Sequence, residues 1–313
     1  MRQDLTRRVL LGGIAAVLPL GARMTGAQGM DVGTRNIEAG GVTIATQSFG
    51  THTNPALVLN MGATASMLGW PDEMCHALAE RGLFVVRYDN RDTGLSTTYP
   101  PGAPSYAVED MAADLVSVLD AYGIDRAHVV GMSLGGLIGQ VAALSTPDRV
   151  ATLMLIGSEP LGWDGEPLPH IAPAFMDHFA TLAELDWSDA DAVKAFLLGV
   201  ERLCAGSGRP FNEARARAYV EAVMARSPNL ASAFNHGLVK LRDDWTGRFR
   251  EIARPVLVIH GEEDPILPLP NGEALTSGIP GAQLVALPGV GHELPSEAIP
   301  VIVEAIAGLV HGA

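Results

Sequence analysis

The chain has 313 residues and a formal net charge of −14 at pH 7. Hydrophobic residues make up 48% of it, enough to bury a sizeable core and more than is typical of a disordered protein. The excess of carboxylates repels phosphate backbones, which argues against nucleic acid as a partner. The only two cysteines, Cys75 and Cys204, do not form a metal-ligand cluster. We expect two unpaired thiols, with a single disulfide between them as the alternative.

The first 27 residues have the pattern of a targeting segment. The adjacent pair Arg7-Arg8 precedes an apolar run over residues 9–22, and small residues follow up to Ala27. This is the order of a secretory signal, and the arginine pair resembles a twin-arginine export signal. The apolar run is short for a membrane span, so an uncleaved anchor is the less favoured interpretation. We predict a periplasmic or secreted protein with no stable membrane association once residues 1–27 are removed.

Residues 28–158 alternate between strand and helix patterns. The predicted strands are Val42–Gly50, Ala56–Gly62, Leu83–Asn90, Ala127–Ser133 and Val150–Ser158. The predicted helices are Pro71–Arg81, an amphipathic helix over 108–122, and a helix over 134–145. Continuous apolar strands that alternate with helices are typical of a parallel sheet covered on both faces.

The pattern changes over residues 159–244, which show proline turns and helices. One helical face includes Val193 and Phe196, and a second helix has Asn212 as its predicted N-cap. Strand and helix patterns return over residues 245–313, with strands at 255–264 and 282–289 and helices near 271–277 and 296–310. We therefore predict an α/β core of residues 28–158 and 245–313, with residues 159–244 inserted as a helical cap. Such a cap can cover a site at the carboxyl ends of the parallel strands.

The pentapeptide Gly131-Met132-Ser133-Leu134-Gly135 lies between a predicted strand and a predicted helix. Its small residues can serve packing alone. The alternative is a nucleophile elbow, in which Ser133 sits on a tight turn that side chains two residues away would obstruct. The N–H of Leu134 would then lie at a helix N-terminus, where it stabilises developing negative charge.

A serine nucleophile requires a base and a group that orients the base. His292 lies in the loop between the last predicted strand and the last predicted helix, at the same sheet edge as Ser133. Asp264 follows the strand that contains His260, and Glu263 and Glu159 are its competitors. We predict the order Ser133, Asp264, His292, which is the order expected of α/β-hydrolases. Four further histidines on predicted helices or strands are interpreted as structural or surface residues: His76, His128, His178 and His260.

The loop after the strand at 56–62 is expected to supply a second oxyanion donor. Gly62 permits a close turn there, and the N–H of Ala63 would point into the site; an ordinary glycine turn is the alternative. A group of apolar residues near the elbow either lines an acyl pocket or belongs to the core: Met61, Met67, Trp70, Met132 and Leu134.

The segment RYDNRDTGLS contains the charged residues Arg87, Asp89, Arg91 and Asp92. These charges could form a second acid–base site. We favour a structural interpretation, in which paired charges and a turn at Gly94 hold the loop beside the elbow.

The chain resembles the α/β-hydrolase superfamily over residues 34–311. Within it, four segments are similar to the aclacinomycin methylesterase-like esterases: NMGATASMLGWPDEMCHALAERG, VVRYDNRDTGLST, AHVVGMSLGG and HGEEDP with GVGHELP. The resemblance implies a serine esterase with Ser133, Asp264 and His292 in the catalytic positions and Ala63 and Leu134 at the oxyanion hole. Residues 159–244 show little similarity to that group, and many superfamily members have His-Gly where this chain has Met61-Gly62.

We therefore expect a carboxylic ester hydrolase that forms an acyl-enzyme and acts on a small-molecule ester without metal or organic cofactor. A lactonase, a thioesterase, a carbon–carbon bond hydrolase or a perhydrolase would use the same three residues. An inactive binding protein on a hydrolase scaffold is a more distant alternative.

Overall fold

A computed structural model describes residues 32–312. The predicted export signal, residues 1–27, lies outside them. Eight strands form one sheet in the order β1-β2-β4-β3-β5-β6-β7-β8. The pairs β1–β2 and β2–β4 are antiparallel, and all other neighbours are parallel. The predicted mostly parallel sheet is thereby confirmed.

The strands are β1 Val32–Ala39, β2 Val42–Phe49, β3 Ala56–Asn60, β4 Phe84–Tyr88, β5 Ala127–Met132, β6 Val150–Ile156, β7 Val256–Gly261 and β8 Gln283–Leu287. The helices are α1 Asp72–Glu80, α2 Val108–Ala121, α3 Leu134–Ser145, α4 Pro173–Ala180, α5 Ala190–Cys204, α6 Glu213–Arg226, α7 Pro270–Gly278 and α8 Ile299–Gly312. Every strand and helix predicted for the core is present, with ends shifted by a few residues. The sequence patterns did not predict β1.

Two layers of apolar side chains cover the sheet, because successive strand residues point to opposite faces. Val58 and Val129 join a cluster with residues of α2, α3 and α7. Their chain neighbours Leu57 and Val130 join a second cluster with residues of α1 and α8. The central strands are buried on both faces, which explains why their sequences are continuously apolar.

Three α-helices, α4, α5 and α6, lie between β6 and β7, and the structure assigns no strand to residues 157–255. The predicted N-cap is confirmed, since the Asn212 side chain accepts the N–H of Arg215 at 3.0 Å. Ring contacts join α4 to α5 and to Phe234, with centroid separations of 4.6 Å for His178–Phe196 and 5.9 Å for Phe179–Phe234. The division at residues 159 and 244 stays a prediction.

Cys75 and Cys204 are both free thiols, so the expected unpaired state agrees with the structure. Cys75 is buried, and that burial raises the pKa of its thiol to about 12. Between residues 32 and 312, no helix is both long and apolar enough to cross a lipid bilayer.

Candidate active site

Ser133 occupies a strained turn between β5 and α3. Its backbone angles, φ of 52° and ψ of −120°, lie in a region that residues other than glycine rarely adopt. A Cβ on Gly131 would lie 2.2 Å from the carbonyl oxygen of Gly135, and one on Gly135 would lie 2.1 Å from that of Asn60. Both glycines are therefore required by the backbone, as the elbow interpretation predicted.

Hydrogen bonds from β6 and the residues after it hold this turn. The N–H of Ser133 donates to the carbonyl of Ile156 at 2.9 Å, and the hydroxyl of Ser158 donates to the carbonyl of Ser133 at 3.0 Å. Leu134 is the first residue of α3, so its N–H lies at the helix N-terminus. The positive end of the helix dipole is thus directed at the region of the Ser133 side chain.

His292 and Asp264 form a hydrogen-bonded pair at the carboxyl edge of the sheet. Nδ1 of His292 lies 2.6 Å from Oδ2 of Asp264, which is buried. The other carboxylate oxygen accepts the N–H groups of Ile266 and Leu267, both at 2.8 Å. Because an ionised carboxylate only accepts, the Nδ1 of His292 carries the proton. Nε2 is left with its lone pair and can act as a base.

The competing carboxylates are engaged elsewhere. Glu263 accepts both the N–H and the hydroxyl of Ser207, at 2.6 and 2.8 Å, and these bonds lower its pKa. Glu159 lies 3.2 Å from His170, and burial raises its pKa. Of the three candidates, Asp264 alone forms a hydrogen bond with His292 within residues 32–312.

Residues 156–158 lie between Ser133 and the His292–Asp264 pair. Ile156 and Ser158 bond to Ser133, as described above. A Cβ on Gly157, whose φ is 48°, would lie 3.2 Å from Oδ2 of Asp264 and 3.3 Å from Cε1 of His292. The predicted serine, histidine and aspartate thus flank the same three residues.

The loop after β3 lies over Ser133. A Cβ on Gly62 would be 3.1 Å from Cβ and 3.7 Å from Oγ of Ser133. The carbonyl of Met61 accepts from Nδ2 of Asn90 at 3.0 Å. Ala63 follows Gly62 directly and is exposed. The N–H of Thr64 donates to Nδ1 of His236 at 3.0 Å.

The charged residues of RYDNRDTGLS are used within the fold. Asp89 accepts the N–H groups of Met67 and Leu95, at 2.8 and 2.9 Å, and pairs with Arg226. Arg91 binds both carboxylate oxygens of Asp114, at 2.6 and 2.8 Å. These contacts agree with the structural interpretation of the segment.

Of the five apolar residues predicted to line an acyl pocket or to belong to the core, four are buried: Met61, Met67, Trp70 and Met132. Met61, Trp70 and Met132 belong to the core cluster that α1 and α8 cover. Their burial favours the core interpretation, and the pocket stays a prediction.

Three residues that hold the loops of the candidate site were not predicted from the sequence: Cys204, Ser158 and His236. The N–H of His292 donates to the carbonyl of Cys204 at 2.8 Å, so the end of α5 supports the histidine loop. Ser158 and His236 hold the two loops around Ser133. None of these lies in a recognisable motif, because each partner is distant in the sequence.

His260 is fully buried behind Asp264, with Nε2 2.6 Å from the carbonyl of Leu267 and 3.7 Å from Oδ2 of Asp264. Burial lowers the pKa of this imidazole. A neutral ring that donates to Leu267 fits the predicted structural role. Within residues 32–312, no group of three or more His, Cys, Asp or Glu side chains is placed to hold a metal ion.

Comparison with known proteins agrees with this architecture. A family model described as the alpha/beta hydrolase fold matches residues 55–298. Rhodomycin D methylesterase DauP of Streptomyces sp. (strain C5) is 36% identical over 285 residues, covering 84% of this chain and 93% of that protein. A putative carbamate hydrolase, RutD of Caulobacter segnis, is 32% identical over 75% of this chain and 84% of its own length.

Among solved structures, a hydrolase from Pseudomonas aeruginosa PA01 has a TM-score of 0.67 and 30% sequence identity. The alignment covers 90% of this chain and 99% of that one. The methylesterase similarity and the fold together support a carboxylic ester hydrolase. The chain belongs to the α/β-hydrolase family.

Proposed function

We propose that the protein hydrolyses carboxylic esters through an acyl-enzyme on Ser133, with His292 as base and Asp264 as its orienting group. The observation that carries the proposal is the pair of His292 and Asp264 at 2.6 Å, beside a serine whose backbone is strained as in a nucleophile elbow. A hydroxyl is a weak nucleophile at neutral pH, and an adjacent neutral imidazole corrects this.

In the first step, Nε2 of His292 takes the proton of Ser133 as Oγ bonds to the ester carbonyl carbon. The carbonyl oxygen becomes an oxyanion facing the N–H groups of Ala63 and Leu134, each of which lowers the barrier by about 3 kcal/mol. The bond from the carbonyl carbon to the alkoxy oxygen then breaks. That oxygen takes the proton from the imidazolium and leaves as the alcohol.

In the second step, His292 removes a proton from water as the water oxygen attacks the acyl carbon. The same two N–H groups stabilise the second oxyanion. When the intermediate collapses, Oγ of Ser133 recovers the proton from His292 and the carboxylic acid leaves. Asp264 keeps the imidazole in one tautomer throughout and stabilises its charged form. The cycle needs no other co-reactant than water.

Methyl esters are the substrate class that the similarity favours, since two relatives are named rhodomycin D methylesterases and the alignments cover 84% of this chain. The helices between β6 and β7 carry several aromatic side chains, which suits a moderately hydrophobic ester. A panel of p-nitrophenyl esters of increasing acyl length, beside a set of methyl esters, will define the preference.

Substitution of Ser133 tests the proposal. In Ser133→Ala we expect ester hydrolysis to fall to background, with no loss of thermal stability, because only the nucleophilic oxygen is removed. A fluorophosphonate should label the wild-type protein and leave the variant unlabelled, since the label reacts with activated serines. Ser117→Ala, on the outer side of α2, is the matched control and should keep full activity. Ester hydrolysis by purified Ser133→Ala at the wild-type rate would exclude the proposal.

A further inference from the structure

His236 is a buried histidine that links two loops on the core. It lies in a short 3-10 helix over Leu230–Leu238 and is only 5% exposed. Its Nδ1 lies 3.0 Å from the N–H nitrogen of Thr64, which is 172 residues away in sequence. Its Nε2 lies 2.8 Å from the carbonyl oxygen of Arg91.

These two partners fix the tautomer of His236. The carbonyl of Arg91 can only accept, so Nε2 of His236 carries a hydrogen. The N–H of Thr64 can only donate, so Nδ1 must present a lone pair. Only the neutral imidazole satisfies both, and burial lowers the pKa of His236, which favours that form.

Thr64 needs such support because its backbone is strained. Its φ is 64°, a left-handed conformation that is rare for β-branched residues and persists only where the surroundings determine it. The hydrogen bond to His236 holds the peptide group between Ala63 and Thr64. On the other side, Asn90 holds the carbonyl of Met61 at 3.0 Å and is itself buried.

The peptide group between Gly62 and Ala63 therefore lies between two anchored peptide groups. Its N–H is the one assigned above to the oxyanion. Gly62 contacts Ser133 closely, so a small rotation of this peptide changes the direction of the N–H relative to the nucleophile. A displacement of about 1 Å in such a group can lower a catalytic rate about a hundredfold.

We propose that His236 is a positioning residue that aims the N–H of Ala63 at the oxyanion through its hydrogen bond to Thr64. The inference rests on the proposed esterase function. His236 itself touches neither the substrate nor Ser133; it acts through the Ala63–Thr64 peptide. The segment between β6 and β7 thereby completes an oxyanion hole whose donors belong to the core.

Two substitutions of His236 each remove one of its two hydrogen bonds and keep the other. The amide of asparagine falls near Nδ1 of the replaced histidine, and that of glutamine falls near Nε2. His236→Asn can therefore keep an acceptor for Thr64 while it loses the donor to Arg91. His236→Gln keeps the donor to Arg91 and loses the acceptor for Thr64. Each variant gives up one buried hydrogen bond, so both should lose similar stability in thermal unfolding.

We expect the kcat of His236→Gln for a p-nitrophenyl ester to fall about 10- to 100-fold, with little change in KM, because transition-state stabilisation is lost. His236→Asn should stay near the wild-type kcat. A trifluoromethyl ketone, which forms a hemiketal oxyanion with the serine, should bind His236→Gln more weakly by the same factor. The matched controls are His128→Asn and His128→Gln, since His128 bonds to Thr152 at the far end of β5.

Equal losses of kcat in the two His236 variants, or a wild-type kcat in His236→Gln, would show that His236 is only structural. If His236→Gln does not fold, replacement of Thr64 by its α-hydroxy acid analogue removes the N–H directly and should give the same loss of kcat. Failure of the proposed function is a different result: wild-type protein without esterase activity, or an active Ser133→Ala. The kinetics of these variants thus decide the two proposals separately.

Discussion

Two adjacent carboxylates in the loop after β7 have different hydrogen-bond partners, which predicts different roles for them. Asp264 is buried and bonds to His292, whereas Glu263 is exposed and bonds to Ser207. In Asp264→Asn, we expect kcat to fall by about 10³ to 10⁴, because the amide favours the wrong tautomer of the imidazole and cannot stabilise its charge. The measurement is kcat for a p-nitrophenyl ester.

Glu263→Gln is the matched control, since it changes the neighbouring carboxylate and keeps an acceptor for Ser207. Its kcat should remain near that of the wild type. A large loss of kcat in Glu263→Gln, with little loss in Asp264→Asn, would assign the orienting role to the other carboxylate.

The sequence could place Ser133, Asp264 and His292 at one edge of the sheet because each follows a strong strand pattern, and their catalytic roles stay a prediction. Ser133 lies in a five-residue motif whose glycines have a steric reason, and the loops of Asp264 and His292 reach the same sheet edge by the rule for parallel strands. His236 was not predictable. Its contact with Thr64 is set by how the chain folds between β6 and β7, and no local pattern around it indicates a buried, doubly bonded imidazole.

At the scale of elements, the sequence predicts the buried strands and misses β1. Half of the residues in Val32–Ala39 are polar, and within residues 33–39 only Ile37 and Ala39 are assigned to the core. It is an edge strand held by antiparallel pairing to β2, so one side of it needs no apolar residues. Tertiary pairing, rather than a periodic pattern, makes it a strand.

Glu201 on helix α5 has a partly buried carboxyl group, and its burial makes the free energy of unfolding depend on pH. Burial, with Glu293 nearby, raises the pKa of Glu201 from 4.5 to about 7, and Arg215 acts in the opposite direction. Burial raises the pKa values of Cys204 and Tyr219, and the nearby charge of Glu201 adds to both shifts. Since its folded pKa exceeds the unfolded one, the free energy of unfolding should decrease as pH rises from about 4.5 to 7.

Glu201→Gln should remove this dependence. At pH 8 we expect the variant to be about 1 to 3 kcal/mol more stable than the wild type, and the difference should vanish near pH 4.5. Thermal unfolding across this pH range measures it, with Glu184→Gln on the exposed surface as the control. A difference between Glu201→Gln and wild type that does not change with pH would show that the pKa of Glu201 is the same in the folded and unfolded states.

At the scale of the whole molecule, the helical segment between β6 and β7 supports several loops of the α/β core. It contacts the loop of His292 through Cys204, the loop of Ala63 through His236, and Asp89 at the end of β4 through Arg226. The sequence indicates that this segment is helical, since its apolar positions are spaced for helices. It does not indicate these three contacts, because each is a single bond between residues far apart in the chain.

The ion pair of Arg226 and Asp89 joins this segment to the core, and substitution of Arg226 measures how much the pair stabilises the fold. Nη1 of Arg226 lies 2.6 Å from Oδ2 of Asp89, whose side chain is fully buried. Without the guanidinium, the carboxylate keeps its bonds to Met67 and Leu95 but loses its counter-charge. Arg226→Met should therefore lower the free energy of unfolding at pH 8 by about 3 to 5 kcal/mol.

The loss in Arg226→Met should become smaller as the pH falls. Burial already raises the pKa of Asp89, and removal of Arg226 raises it further, so the carboxyl is protonated in the folded state at a higher pH. A folded pKa above the unfolded one gives stability that is present at low pH and lost as pH rises. Urea unfolding at pH 8 and pH 5 measures the free energy lost in Arg226→Met at each pH.

Arg217→Met is the control: it breaks an exposed pair with Glu213 on the same helix and should cost less than about 1 kcal/mol at either pH. Equal losses in the two variants would mean that Asp89 is not stabilised by the helix, and that the segment is held to the core by its other contacts.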